Sequence, residues 1–239
     1  MTGRDAADRV VHLLSAGAAK GIVEALRDAY VAETGASLDA TFGAVGAMRE
    51  RLDAGAPCDV LVLTATMLEA MAVAHRVRRD SIAALGRVRT GVAIRDGDAA
   101  PRIDDEAALR AALSSARAVY LPDPQRATAG LHFVDVIRRL GIEDTVRARW
   151  RTFPNGATAM RALADATESG LIGCTQITEI RYTSGVTLVG ALPAAFELAT
   201  TYAAAVMRNA REPALAHTLV QRLSGERSRD LRIAGGFEP

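Results

Sequence analysis

A few polar side chains could bind or transform a small anion. Lys20 is the only lysine among 29 basic residues, and its ammonium could pair with a carboxylate or transfer a proton. The guanidinium of Arg126 could hold a carboxylate through two parallel hydrogen bonds. Each also has a simpler interpretation, as a solvated lysine in a first helical turn and as one of many surface arginines.

Another polar group follows the apolar run Leu171–Cys174, which reads as a strand. Open α/β sheets place ligand contacts at the carboxyl ends of their strands, so Thr175 and Gln176 could bind an organic acid. Glu179 could act as a general base or bond a neighbouring backbone group. Lys20 and Glu179 are therefore the candidate catalytic residues. Thr128 could cap a helix or offer its hydroxyl to the ligand.

Several other chemistries lack a recognisable pattern. Neither a Ser/His/Asp or Cys/His arrangement nor a glycine-rich nucleotide signature is found. His132, beside Phe133, is more typical of a packed residue than of an acid–base group. The remaining histidines and both cysteines lack the spacing of a metal site or a disulfide framework: His12, His75, His217, Cys58 and Cys174. We expect no metal and no cofactor.

The elements that must position these residues alternate between strand and helix. In the first part, the apolar patterns predict the strands 10–15, 38–42 and 60–63 and the helices 17–34, 44–54 and 66–74. Further strands are predicted at 87–94, 118–121, 150–153, 171–174 and 187–192, and further helices at 104–114, 129–140, 158–166 and 213–223. This order predicts α/β units with mostly parallel sheets flanked by helices.

The two α/β units follow each other without a flexible linker. We predict lobe 1 at 1–85 and 193–239 and lobe 2 at 86–192. The joining segments, 86–95 and 186–193, are themselves strand-like, which favours a hinge between two lobes that close on a ligand.

Charge and hydropathy limit the partners. The net charge of +1 favours neither nucleic acid nor an anionic membrane, and no apolar run is long enough to cross a bilayer. We expect a monomer. The polar segment after Met1 lacks the apolar core of a signal peptide, which predicts a cytoplasmic protein, or a periplasmic one if an export signal has been removed.

Three segments carry a family resemblance: LSAGAAK at 14–20, FGAVG at 42–46 with AGAPCDV at 54–60, and LPDP at 121–124 followed by ATAG at 127–130 and RLGI at 139–142. Together they resemble the molybdate-binding branch of the type II periplasmic binding proteins, which serve ABC transporters. The segments GLIGCTQITEI at 170–180 and VGALP at 189–193 resemble an off-shoot of that branch that includes a trans-aconitate isomerase.

The resemblance implies two α/β lobes with an anion in the cleft between them. It also implies that the ligand lies at helix N-termini, where backbone N–H groups and the helix dipole favour negative charge. Four such places are expected: 17–20, 44–46, 128–130 and 155–158. The implied ligand-binding residues are Gly17, Ala18, Ala19, Lys20, Ala44, Val45, Gly46, Arg126, Ala127, Thr128, Thr175 and Gln176.

The chain departs from the molybdate pattern. Relatives in that branch use two loop serines and a late tyrosine, whose positions correspond to Ala18, Val45 and Gly173. Because each missing partner of a desolvated anion costs about 1–3 kcal/mol, we expect no tight molybdate binding. The first hypothesis is a solute-binding protein for an organic carboxylate, working with an ABC permease if exported. The alternative is a cofactor-independent isomerase of an unsaturated tricarboxylate.

Overall fold

The computed structural model describes residues 9–239, and these residues form two units. Unit 1 runs to Arg87 and resumes at Thr201–Pro239, and unit 2 is Val88–Thr200. The chain passes from one unit to the other within two strands, β4 (Ala83–Arg95) and β9 (Ala199–Val206). The hinge function assigned to the joining segments stays a prediction.

Unit 1 alternates strand and helix as the sequence predicts. Its further elements are β1 (Val10–Ala16), α1 (Lys20–Thr34), β2 (Ser37–Gly43), α2 (Val45–Asp53), β3 (Val60–Thr64), α3 (Ala65–Val73), α9 (Pro213–Ser224) and α10 (Arg229–Ala234). A 3₁₀ turn, Gly17–Ala19, connects β1 to α1. Gly35 ends α1 in the left-handed conformation, at a φ of 66°, which glycine adopts without steric cost.

The sheet of unit 1 has β1 at its centre. β1 pairs in parallel with β2 and β3, and β9 pairs antiparallel with β3. Tyr30 is completely buried and its hydroxyl donates a 3.1 Å hydrogen bond to the carbonyl of Leu215, which links α1 to α9. Burial raises the pKa of Tyr30 to about 12, so this hydroxyl keeps its proton at neutral pH.

Unit 2 is also α/β. Its elements besides β4 are α4 (Glu106–Ser115), β5 (Ala118–Pro122), α5 (Thr128–Arg139), α6 (Glu143–Val146), β6 (Trp150–Phe153), α7 (Gly156–Ala164), β7 (Leu171–Gln176), α8 (Ile177–Tyr182) and β8 (Val186–Ala191). β5 pairs in parallel with β6 and β7, whereas β4 pairs antiparallel with β7 and β8.

Helices cover both faces of the unit 2 sheet. Val119 and Leu121 of β5 belong to one core cluster, whose other members include Leu113 and Phe133 from the helices. The alternate residues of the same strand, Ala118 and Tyr120, belong to a second cluster with side chains of α7 such as Met160 and Leu163. Since successive side chains of a strand point to opposite faces, the two clusters lie on opposite sides of the sheet.

The sequence patterns missed short helices and left one segment open. α6, α8 and α10 are four to six residues long, too short for helical periodicity to be recognised. Residues 200–208, which could have been extended or helical, belong mainly to strand β9. None of the helices in the described range is both long and apolar enough to cross a membrane.

Candidate functional site

The first two predicted ligand loops lie side by side in unit 1. In the parallel register of β1 and β2, Ala16 pairs with Gly43, so the turns that follow the two strands leave the same edge of the sheet. These turns contain Gly17–Ala19 and Ala44, and they lead into α1 and α2. The structure therefore brings together the unit 1 residues of the predicted site, including Val45 and Gly46.

Lys20 opens α1 at this edge. Its ammonium nitrogen lies 5.8 Å from the ring centroid of Phe42, the residue before Gly43, so the aromatic face holds the cation at the carboxyl end of β2. The side chain is half-buried. A cation at the start of a helix adds positive charge where the helix dipole is already positive, which suits an anionic ligand.

The side chains of Ala18 and Val45 are buried and apolar. Neither can donate a hydrogen bond, so the polar contribution of these loops comes from their backbone N–H groups and Lys20. The N-cap residues of α1 and α2, Ala19 and Ala44, also make no side-chain capping bond. At α2, the absence of such a cap leaves first-turn N–H groups for an anion, whereas at α1 the N–H of Lys20 already donates to the carbonyl of Gly17.

A third helix start, that of α5 in unit 2, also lacks a side-chain cap. Ala127 is the N-cap of α5 and makes no capping bond, and Thr128 is the first helical residue, so the predicted capping function of Thr128 is wrong. The preceding turn is held by Asp123, whose carboxylate accepts from the backbone N–H of Gln125 at 2.7 Å and of Arg126 at 3.2 Å. Arg126 itself is exposed.

Gly130 lets this turn pack against α5. A Cβ at this position would lie 2.2 Å from the carbonyl oxygen of Asp123 and 2.5 Å from that of Pro122. Any side chain would therefore displace the loop that carries Arg126 and Ala127.

The fourth predicted helix start, that of α7, is occupied by the protein itself. The side-chain oxygen of Asn155 accepts from the backbone N–H of Thr158 at 2.9 Å. The carboxyl group of Glu179 accepts from the backbone N–H groups of Gly156 and Ala157. These internal groups satisfy the donors that an external anion would use.

Glu179 is buried within α8, and its environment explains its chemistry. The hydroxyl of Thr175 donates a 2.5 Å hydrogen bond to it, and the backbone N–H of Gln176 also contributes. Burial raises the pKa of Glu179, and these hydrogen bonds oppose the rise. A carboxyl group enclosed in this way supports α7, and its oxygens are already engaged by protein donors.

Gly156 makes this arrangement sterically feasible. A Cβ at residue 156 would lie 1.9 Å from an oxygen of Glu179 and 2.0 Å from the hydroxyl of Thr175. Thr175, predicted to contact the ligand, thus directs its hydroxyl proton to Glu179. Gln176 follows it at the end of β7 and is buried.

Two threonines that the sequence analysis did not select are the clearest unsatisfied polar groups here. Thr90 and Thr178 are buried, and among the described residues their hydroxyls have no hydrogen-bond partner. Thr90 of β4 pairs in register with Gln176, and Thr178 is two residues further along the chain. Buried hydroxyls are rarely left without a partner, so each of these two can take one from a ligand or from an ordered water molecule. Their β-branched side chains resembled ordinary strand residues in the sequence.

Gly173 has a purely structural position. A Cβ there would lie 2.5 Å from the terminal methyl of Met160 and 2.7 Å from a methyl of Leu163. The position points into the core beneath α7. The correspondence between Gly173 and a ligand-binding tyrosine stays an inference from the resemblance.

His132 also has a structural explanation. Its Nε2 lies 2.8 Å from the carbonyl oxygen of Phe196, and because a carbonyl can only accept, the imidazole donates. Burial lowers the pKa of His132.

Comparison with known proteins gives a consistent result. A family model described as "Bacterial extracellular solute-binding protein" matches residues 11–238. A Pseudomonas protein named aconitate isomerase is 26% identical over 236 residues, which cover 95% of this chain and 87% of that protein.

Solved structures show the same architecture. The periplasmic molybdate-binding protein of Azotobacter vinelandii superposes with a TM-score of 0.78 at 19% identity, over 96% of this chain and 99% of the other. The sulfate-binding protein SubI of Mycobacterium tuberculosis H37Rv gives a TM-score of 0.69 at 14% identity, over 97% and 87%. The expected α/β fold of the type II periplasmic binding proteins is therefore confirmed.

Proposed function

The chain belongs to the bacterial extracellular solute-binding proteins, and we propose that it binds a small organic anion with two or more carboxylates. The observation that carries this proposal is the pair of helix starts in unit 1, which combine backbone donors and Lys20 with the apolar side chains of Ala18 and Val45. These loops favour an anion and provide no side-chain hydroxyl at those two positions.

This donor set suits carboxylates better than molybdate. A compact oxyanion concentrates its acceptors and loses about 1–3 kcal/mol for each desolvated oxygen without a partner. A polycarboxylate spreads its charge over several groups, so each carboxylate can use a separate helix start or cation. In unit 1 we propose that the ammonium group of Lys20, the backbone N–H groups of the turn Gly17–Ala19 and the first-turn N–H groups of α2 make these contacts.

Unit 2 by itself has polar groups that we propose contact an anion. The start of α5, with Ala127 and Thr128, offers backbone donors of the same kind, and Arg126 adds a cation. The hydroxyls of Thr90 and Thr178 are the main specificity determinants, because they are buried without a partner in the described structure and would gain one from the ligand.

Ligand binding can be tested by calorimetry and thermal melting with citrate, cis-aconitate, trans-aconitate, molybdate and tungstate. We expect at least one carboxylate to bind and to raise the melting temperature, since a ligand that binds only the folded state stabilises it. Replacing Lys20 with methionine should weaken carboxylate binding about tenfold, the loss typical of a charge-assisted contact, while Lys20→Arg retains more affinity. Tighter binding of molybdate than of every carboxylate would refute the proposal.

The threonines allow a sharper test with a matched control. Thr90→Val and Thr178→Val should weaken ligand binding but leave the free protein equally or more stable, because each removes a buried hydroxyl without a partner. Thr183→Val is the control, since that buried hydroxyl donates a 2.8 Å bond to the carbonyl of Glu179. It should destabilise the free protein. Loss of stability in the first two variants, with unchanged affinity, would show that these hydroxyls serve folding alone.

A second candidate function is isomerisation of aconitate, favoured by the Pseudomonas relative named aconitate isomerase. This reaction moves a proton between two carbons while the double bond shifts, and it needs a base but no redox partner. Because Glu179 is enclosed by protein donors, we propose Lys20 as the base. Absorbance during incubation with trans-aconitate tests this. Turnover that is lost in Lys20→Met would support it, whereas binding without turnover leaves the solute-binding function.

A function in import has its own requirements. For that function we propose an ABC permease as partner and the periplasm as location. Cell fractionation tests the location, and recovery of the protein only from the cytoplasmic fraction would exclude the importer hypothesis.

A further inference from the structure

Unit 1 contains a pocket of about 450 Å³ that the proposed function does not use. We call it the basal pocket. It is lined by His12, Leu52, Gly55, Ala56, Pro57, Cys58, Asp59, His75, Arg76, Met207, Arg208, Asn209 and Arg211. Its volume is within the range of about 300–1,000 Å³ that is typical of small-molecule sites.

The basal pocket lies at the opposite edge of the sheet from the predicted ligand loops. His12 is near the amino end of β1, Asp59 directly precedes β3, and Arg208 follows the end of the antiparallel strand β9. The loops at Gly17 and Ala44 leave the carboxyl ends of β1 and β2. A seven-residue strand such as β1 spans roughly 20 Å, so the two places are separate.

The lining carries more positive than negative charge. Its cations are Arg76, Arg208 and Arg211, and its one carboxylate is Asp59. Arg76 is held by an ion pair with Asp53, at 2.5 Å between its terminal nitrogen and the carboxylate oxygen. The side chains of Arg208 and Arg211 are exposed and able to turn toward a bound anion.

Asp59 holds the backbone of the pocket lining in place through hydrogen bonds. One oxygen of its buried carboxylate accepts from the backbone N–H of His12 at 2.8 Å, and the other accepts from that of Arg211 at 2.6 Å. Its own carbonyl accepts from the N–H of Met207 at 2.9 Å. The carboxylate thus fixes two segments of the lining, and the backbone carbonyl of the same residue fixes a third.

His75 occupies a backbone position where glycine is usual. Its φ is 55°. At the end of α3, the N–H of His75 donates to the carbonyl of Ala72 at 3.1 Å, and the N–H of Arg76 donates to that of Met71 at 2.9 Å. A side chain in this left-handed conformation costs about 1 kcal/mol. Here the residue places an imidazole in the lining, and the amide of Asn209 is a further donor. The imidazole of His12 also lines the pocket, and its Nδ1 lies 3.2 Å from a carboxylate oxygen of Asp39.

We propose that the basal pocket binds an oxyanion of the phosphate class, either inorganic phosphate or a phosphomonoester. The planar guanidinium group matches the geometry of phosphate oxygens, and imidazole and amide N–H groups complete a donor set for a doubly charged anion. This site is independent of the carboxylate site proposed above.

Calorimetry on the full chain, at low ionic strength, tests the proposal with inorganic phosphate and glycerol 2-phosphate as probes. We expect at least one probe to bind and Arg208→Ala and Arg211→Ala each to weaken it tenfold or more. Arg110→Ala, which removes an exposed arginine of α4 in unit 2, is the charge-matched control and should leave the affinity unchanged. Tighter binding of glycerol 2-phosphate would identify a phosphomonoester as the ligand, and equal affinity would indicate the phosphate group alone.

Lys20→Met separates this site from the carboxylate site. Phosphate binding that survives in Lys20→Met but is lost in Arg208→Ala supports the basal pocket, even if no carboxylate binds. Phosphate binding that depends on Lys20 and not on Arg208 would overturn the proposal, as would no binding at millimolar phosphate. As a local readout, the imidazole NMR signals of His12 and His75 should shift with phosphate, and unchanged signals would contradict the site.

Discussion

The starts of α2 and α7 resemble each other in sequence and differ in what they offer to a ligand. Both follow a strand and a short turn with a glycine beside it, Gly43 before α2 and Gly156 at the start of α7, and both were expected to bind an anion. At α2, the N-cap Ala44 makes no side-chain bond. At α7, Asn155 and the carboxyl group of Glu179 satisfy the first-turn donors. The same local pattern can therefore leave a helix start without a side-chain cap or have it filled by the chain's own carboxyl group.

The stability of the chain should be sensitive to even one methyl group added at residue 156, at the start of α7. Gly156→Ala would place a Cβ within 2.0 Å of both Glu179 and Thr175 and should reduce the free energy of unfolding by about 3 kcal/mol, the upper part of the range for overpacked cores. Chemical denaturation measures the loss. Gly190→Ala is the control, because the nearest contact of its Cβ would be an ordinary 3.5 Å from Ile103. Equal losses of unfolding free energy in the two variants would show that α7 can move away from the added methyl group.

Removal of the internal carboxyl should have the next largest effect. Glu179→Ala leaves the N–H groups of Gly156 and Ala157 without their acceptor and should cost about 2 kcal/mol of stability. If added acetate or formate partly restored the melting temperature, the emptied helix start would have accepted an external anion, as we propose for α2. A fully stable Glu179→Ala variant would contradict the supporting function assigned to Glu179.

A hydroxyl at the start of α2 should change ligand preference. Val45→Ser adds one donor where the valine provides none, and one hydrogen bond contributes about 1 kcal/mol, or roughly five- to tenfold in affinity. We expect calorimetry to show tighter molybdate binding, with Val45→Ala as the size control. If serine and alanine gave the same molybdate affinity, Val45 would not lie at the ligand.

The smallest expected effect is on pH dependence. Burial raises the pKa of Glu179 in the folded chain, so the folded state holds the proton more tightly than the unfolded state does. In the unfolded state, glutamate has a pKa of about 4.3. The stability that this group contributes is complete below that pH and is lost as pH rises through the folded pKa. Relative to wild type, Glu179→Gln should therefore become more stable as pH rises. A constant difference across pH would contradict the raised pKa.

Much of the fold could be predicted because its signals are local. The periodicity of α1 and the apolar runs of β3 and β7 are complete within a few consecutive residues. The candidate site was harder to predict. The significance of Thr90 arises from its pairing with Gln176, 86 positions away in the chain, and from the absence of a partner for its hydroxyl in the described structure. The packing of Gly173 against side chains of α7 was equally hard to predict, because these contacts are not local.

By itself, the sequence determined the α/β architecture, the glycine-rich turns before the helices and the lack of hydroxyls at Ala18 and Val45. These features depend on residue type and on spacing over short distances, and both can be read from the sequence. Only the tertiary structure decided which helix starts are already satisfied by the chain's own groups. Glu179 is 23 residues from Gly156 in the chain, yet its carboxyl group contacts that residue because β7 and α8 fold back against α7. Contacts of this kind depend on how elements pack, and no local pattern encodes them.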